Sequence, residues 1–229
     1  MGYATMHQMF TTIDMAQVKN LLFDLGGVLV DLWHEKCLAA FHKLGFAGID
    51  AELLDPYYSD GKFGASELGL VSEEELCDYV REQAGRPEIT DQQINDAYYE
   101  FIGEIPEYKL RMLAELKKHY RIYMLSNTSS FIYPRIAREE FTKLGGKVED
   151  YFDGIYLSYE LHKAKPDPEV FRHILHDADI KAEETLFFDD GPGNIEAAEA
   201  LGFQTYLVAP EEDFRHVFGD LFGETEKNI

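Results

Sequence analysis

Four short apolar runs along the chain each stop at a polar residue: NLLFD (Asn20–Asp24), RIYMLS (Arg121–Ser126), GIYLS (Gly154–Ser158) and TLFFD (Thr185–Asp189). QTYLV (Gln204–Val208) is a fifth run of the same kind. Runs this short and this continuous predict strands buried on both faces. Segments of helical spacing separate them. Pro106–Tyr120 places Leu110, Leu113 and Ala114 on one face, with a proline near the first turn. Glu169–Asp177 and Asn194–Leu201 follow, the latter with Gly202 as its C-cap. Strands alternating with helices predict right-handed βαβ units and a mainly parallel α/β sheet.

Residues 34–105 break the alternation. They hold no strand-like run. Ser72 with Glu75 and Thr90 with Gln93 fit capping boxes ahead of amphipathic stretches. Before these lies a glycine-bearing stretch, DGKFGASELG (Asp60–Gly69), read as a loop. The pattern predicts an all-helical block, 34–105, inserted into an α/β domain formed by 18–33 and 106–229. Residues 1–17 are expected to lie outside the fold, and the acidic tail from Glu211 to be a solvated face or a last short helix.

Charge narrows the partners. Forty-three acids against 21 bases give a formal net charge of -22. Such a surface repels nucleic acid and an anionic membrane face. It leaves room for a small phosphorylated metabolite, because a bound cation reverses the field inside one pocket. Cys37 and Cys77 form no CxxC pair, so they are expected to be plain buried thiols in a reducing compartment. No run approaches the roughly 20 apolar residues of a membrane span. The first residues lack the charged start and apolar stretch of a signal peptide. A cytoplasmic location is the expectation.

In an open parallel sheet, ligands bind beyond the carboxyl ends of the strands. Those ends here carry Asp24; Ser126, Asn127 and Thr128; and Asp189 and Asp190, with Lys165 shortly after the third run. Each residue alone has a plain reading as a turn, cap or surface group. Together they point to chemistry. Two carboxylates about 4 Å apart repel by about 4 kcal/mol at an effective dielectric of about 20. Three acids at one edge therefore need protonation or a cation. An all-oxygen donor set suits Mg²⁺. Lys165, Ser126 and the backbone N–H groups after Asp24 suit an anion, and a carboxylate beside a bound phosphate suits nucleophilic transfer.

These segments resemble the haloacid dehalogenase superfamily of phosphohydrolases. FDLGGVLVD (Phe23–Asp31), LSNT (Leu125–Thr128), KPDPEVF (Lys165–Phe171) and FFDDGPGN (Phe187–Asn194) are similar, in order, to its four motifs. The resemblance implies a Rossmann-like core with a helical cap. It implies Asp24 as a nucleophile that becomes phosphorylated. Mg²⁺ would be held by Asp24, the Gly26 carbonyl and Asp190, with Asp189 as support or further ligand. Ser126, Asn127 and Lys165 would bind the phosphoryl group.

One position departs from the pattern. Most phosphatases of the family carry a second Asp two residues after the nucleophile, as general acid and base, where this chain has Gly26. Three readings are open. The site binds an anion without turnover; it acts on a substrate whose leaving group needs little protonation, such as a sugar 1-phosphate; or another acid, Asp31 or a cap residue, reaches in. DLGGVLVD and the cap stretch Phe63–Ser72, with Glu67 and Gly69, also resemble a bacterial subgroup similar to glucose-1-phosphate phosphatase that shares the glycine. The expected function is a Mg²⁺-dependent phosphatase of a small phosphomonoester. The alternatives are a silent phosphate-binding module and a sugar phosphomutase. Outside the motifs, His173, His176, His162 and Lys62 read as surface groups, and Tyr57, Tyr58, Tyr98 and Tyr99 as cap packing. Trp33 and His34 suit either packing or the substrate entrance.

Overall fold

The computed structural model describes residues 13–49 and 61–222. All five apolar runs are strands: β1 Asn20–Phe23, β2 Arg121–Ser126, β3 Gly154–Leu157, β4 Thr185–Asp189 and β5 Gln204–Leu207. They form one parallel sheet in the order β3-β2-β1-β4-β5. The chain winds outward through β2 and β3, then crosses to β4 on the other side of β1. The sheet direction therefore switches between β1 and β4, where the polar ends of both strands face one crevice.

The period-two alternation of each strand splits the core into two layers. Leu22, Tyr123, Leu125, Tyr156 and Phe187 pack against Val170, Phe171, Ile174, Ile195 and Ala198. These last residues lie on α9 (Pro168–Asp177) and α10 (Pro192–Glu199). Leu21, Phe23, Ile122, Met124, Leu186 and Phe188 face the other way. There they meet α5 (Glu107–Leu116) and the aromatic 3-10 turns of Phe214–Leu221. Phe188 stacks on Phe23 at 4.8 Å and packs against Phe214 at 5.2 Å.

Between β1 and α5 the described chain is helical: α1 His34–Leu44, α2 Lys62–Glu67, α3 Glu73–Ala84 and α4 Asp91–Tyr99. Both expected capping boxes are present, at Ser72 with Glu75 and Thr90 with Gln93. Phe41 anchors this helical layer, edge-on to Phe63 and Phe46. The architecture is a Rossmann-like core under a helical cap.

Several local expectations change. Lys62–Glu67 is a helix rather than a loop, because Phe63 and Ser66 both turn inward. Helix α10 ends at Glu199, and Gly202 takes its left-handed conformation (φ 89°) in the turn that follows. Residues 13–17 pack on the fold. Ile13 and Met15 lie against the core, and the Asp14 N–H donates to Gln204 Oε1 at 2.7 Å. The rest of the expected extension (1–12), Tyr57, Tyr58, Asp60 and the tail 223–229 lie outside the described residues. Among the described residues no helix is long and apolar enough to cross a membrane.

Candidate active site

The crevice begins where β1 ends. The Asp24 N–H donates to Phe188 O at 2.9 Å, continuing the strand pairing by one residue. The chain then turns tightly. Leu25 O accepts from the N–H groups of Leu29 and Val30, and the Gly27 N–H donates to Val30 O, each at 2.9 Å. Gly27 is required twice over. Its φ is 70°, and a Cβ there would lie 2.1 Å from Asp190 Oδ2. Gly26 is different: its backbone is ordinary, and a Cβ would meet only the Leu32 side chain, at 3.1 Å. Leu32 thus stands beside the place where an acid two residues after Asp24 would project.

Lys165 joins the two acidic strand ends. Its Nζ lies 2.7 Å from Asp24 Oδ1 and 2.7 Å from Asp189 Oδ2. Its backbone is held by one side chain, because Asn127 Nδ2 donates to Lys165 O and Asn127 Oδ1 accepts from Lys165 N, each at 2.9 Å. The Asn127 amide is thereby committed to placing the lysine. Asp189 is fully buried, and its second oxygen accepts from the Gly191 N–H and Asn194 Nδ2, both at 2.8 Å. Asn194, inside the fourth motif but given no role from sequence, therefore fixes the same carboxylate that pairs with the lysine. Ser126 is buried at the end of β2, next to Asn127.

Asp24, Asp189 and Asp190 each offer an oxygen, and the three lie within 4.8 Å of one another. Three carboxylates this close, with one ammonium among them, leave excess negative charge that a divalent ion would offset. The donors are all oxygen, as Mg²⁺ prefers. No described backbone N–H donates to the Gly26 carbonyl. Asp189 has both oxygens engaged, whereas Asp24 spends only Oδ1 on Lys165. Asp24 and Asp190 could thus hold Mg²⁺, with Gly26 lining the same cavity.

The electrostatics follow from that crowding. Burial raises the Asp24 pKa to about 7 against the pull of Lys165, with Asp189 and Asp190 pushing the same way as burial. Burial, then Asp189, also raises Asp190. For Lys165 burial opposes the charge, but Asp189 and Asp24 outweigh it and hold its pKa above the ordinary value. A cation at this rim would favour the ionised form of every acid.

A cavity of about 490 Å³ opens from these residues toward the cap, a size that suits a small ligand. Asp24, Gly26, Ser126, Asn127, Thr128, Lys165 and Asp190 line its floor. The cap supplies His34, Phe63, Glu67, Tyr98 and Phe101, and Leu32 lines the wall just before it. Of the two residues with open roles, His34 lines the cavity, edge-on to Phe101. Trp33 instead carries Lys36 over its ring. Tyr98 lines the cavity as well as packing in the cap. Asp31 is absent from the lining, and its carboxylate lies 4.0 Å from Lys109 Nζ, so it does not reach in. His173, His176 and Lys62 are exposed, as expected. His162 is exposed too, but its Nδ1 lies 2.9 Å from Leu68 O of the cap.

A family model described as haloacid dehalogenase-like hydrolase matches residues 18–202. The chain is 38% identical to D-ribitol-5-phosphate phosphatase of Bacteroides thetaiotaomicron, over 86% of this chain and 95% of that protein. A crystal structure of a HAD family enzyme from the same organism, in complex with magnesium and inorganic phosphate, superposes with a TM-score of 0.83 at 41% identity. That match covers 88% of this chain and 99% of the other. A HAD-like family hydrolase of Porphyromonas gingivalis superposes with a TM-score of 0.81 at 37% identity, covering 88% and 96%.

Proposed function

The chain belongs to the haloacid dehalogenase-like hydrolases, and we propose that within this family it is a Mg²⁺-dependent phosphatase of a small sugar or polyol phosphate, working through a phospho-aspartyl intermediate on Asp24. The observation that carries the reading is the meeting of Asp24, Asp189 and Asp190 around one buried ammonium, Lys165, at the switch point of the sheet. An apolar core has no use for three acids there. A phosphoryl group and its metal do.

In this reading an Asp24 carboxylate oxygen attacks phosphorus in line, and the bond to the ester oxygen breaks. Water then attacks the same phosphorus, the bond to Asp24 breaks, and the carboxylate is restored. Lys165 and Ser126 hold the phosphoryl oxygens. Asp24, the Gly26 carbonyl and Asp190 hold Mg²⁺. Its charge lets an anionic ester approach a carboxylate. Asp189 acts by fixing Lys165 and the Gly191 N–H, and Asn127 by fixing the Lys165 backbone. Residues 34–105 are the cap, and 18–33 with 106–229 the catalytic core. The polyol phosphate in the name of the Bacteroides relative supports a pentose- or pentitol-sized substrate, which the cavity is large enough to admit.

Phosphate release from a panel of sugar and polyol phosphates tests the reading. The expected result is release with Mg²⁺ that vanishes with chelator and with Asp24→Asn. A folded protein that releases no phosphate from any ester would instead be the silent binding module.

A further inference from the structure

Gly26 leaves the floor of the site without the side chain that protonates the leaving oxygen in most relatives, and the Leu32 side chain stands beside that place. The cap supplies a replacement. Glu67, the last residue of α2, lines the same cavity as Asp24 and Lys165. We propose that the Glu67 carboxyl is the general acid and base of the reaction, delivered from the cap rather than from the loop after the nucleophile. The proposal rests on the phosphatase reading above.

The position of Glu67 is built. Ser158 Oγ donates to Glu67 O at 2.5 Å while accepting from the Thr128 N–H at 2.9 Å, so one core hydroxyl ties the cap residue to the floor of the site. His162 Nδ1 lies 2.9 Å from Leu68 O. At Gly69, φ is 65° and a Cβ would lie 2.2 Å from Tyr159 O, so only glycine lets the cap come this close to the core. Three successive residues, 67 to 69, are thus clamped against Ser158–His162. The backbone is held, Glu67 lines the cavity, and no hydrogen bond to its carboxyl occurs among the described residues.

The surroundings suit proton transfer. Burial raises the Glu67 carboxyl to about 7, against the pull of Lys165. Tyr98 on α4 is its other close titratable neighbour, and it titrates far above neutrality. Asp24, Asp190 and His34 complete the ionisable lining of the cavity, and His162 touches only the neighbouring backbone. A carboxyl that titrates near neutral pH can give a proton and take one back.

The step balances. As Asp24 attacks and the phosphorus–oxygen bond breaks, protonated Glu67 gives its proton to the leaving oxygen, which departs as an alcohol. Glu67, now a carboxylate, takes a proton from water as that water attacks phosphorus. The bond to Asp24 breaks, its electron pair returns to the carboxylate, and Glu67 is protonated again.

The test compares two esters, ribitol 5-phosphate and p-nitrophenyl phosphate, whose leaving groups need a proton to very different degrees. Glu67→Gln should slow the alkyl ester about a hundred- to ten-thousand-fold. On the aryl ester it should keep a first-turnover burst of nitrophenol, followed by slow turnover, because only the water step then lacks its base. The loss of kcat/KM on the alkyl ester as pH rises through about 7 should disappear in the variant. Equal losses on both esters with no burst, or an unchanged pH profile, would overturn the proposal. If Glu67→Gln does not fold, Glu67→Asp, which keeps the acid but shortens its reach, is read against the same two esters. Silence of the wild-type protein on both esters would overturn the phosphatase reading itself, an outcome distinct from loss in the variant alone.

Discussion

Lys165 Nζ stands 2.7 Å from Asp24 Oδ1, and the lysine side chain that makes the contact is only 1% exposed. Asp24 and Lys165 are therefore one buried ion pair, on which both the fold and the proposed chemistry draw. Lys165→Met keeps the bulk and removes the charge, leaving the buried Asp24 and Asp189 carboxylates without their shared cation. The expected loss is about 3–5 kcal/mol of stability in urea denaturation without metal, with phosphate release at background. Added Mg²⁺ should recover part of the stability and none of the activity.

Asn127 acts one step further out. Asn127→Ala removes the two hydrogen bonds that hold the Lys165 backbone. We expect phosphate release to fall about 10- to 100-fold, as for other residues that orient a ligand-binding group. The stability cost should be about 1–3 kcal/mol, read from the same denaturation curves.

The two glycines after Asp24 should separate cleanly. Gly27→Ala places a methyl on Asp190 Oδ2 at a left-handed φ. It should displace the carboxylate and abolish Mg²⁺ binding in a calorimetric titration. Gly26→Ala meets only a flexible Leu32 methyl and should keep both Mg²⁺ affinity and most of the activity.

Glu67 predicts a pH-dependent stability difference that does not need substrate. Its carboxyl holds its proton to about pH 7 in the folded state but releases it near pH 4.5 when unfolded. The unfolded chain therefore loses its proton first. This residue's contribution falls as pH rises from about 4.5 to about 7, then stays low. Glu67→Gln lacks that penalty. Its melting temperature should match the wild type near pH 4.5, exceed it increasingly up to pH 7, and keep a constant margin above.

The strands were legible as short apolar runs; the expected burial on both faces holds along β1 and β4 and nearly all of β2, whereas the edge strands β3 and β5 are only partly buried. The core helices α5, α9 and α10 carried their spacing openly. The short helices Tyr133–Glu139, Val148–Tyr151 and Ser158–Leu161 were not legible, because four to seven residues are too few to show a helical period. Asp24, Ser126 and Asp189 lie at strand ends, where topology alone brings them together, and Lys165 enters from the loop before α9, so their order along the chain pointed to the crevice. Asn194 and Asn127 could be placed at that edge but not given their partners. Glu67 was harder still. It sits in a stretch whose glycines read as a loop, and its importance comes from the clamp by Ser158 and His162, ninety residues away in the chain.

The central claim, that Asp24 takes the phosphoryl group, is tested most directly by trapping. Enzyme quenched in acid during turnover of its ester, then reduced with borohydride and digested with trypsin, yields the peptide Asn20–Lys36 for mass spectrometry. An acyl phosphate on Asp24 is reduced to homoserine at that position, and that is the predicted product. An unmodified Asp24 in enzyme quenched while turning over, or homoserine at position 189 or 190 instead, would contradict it.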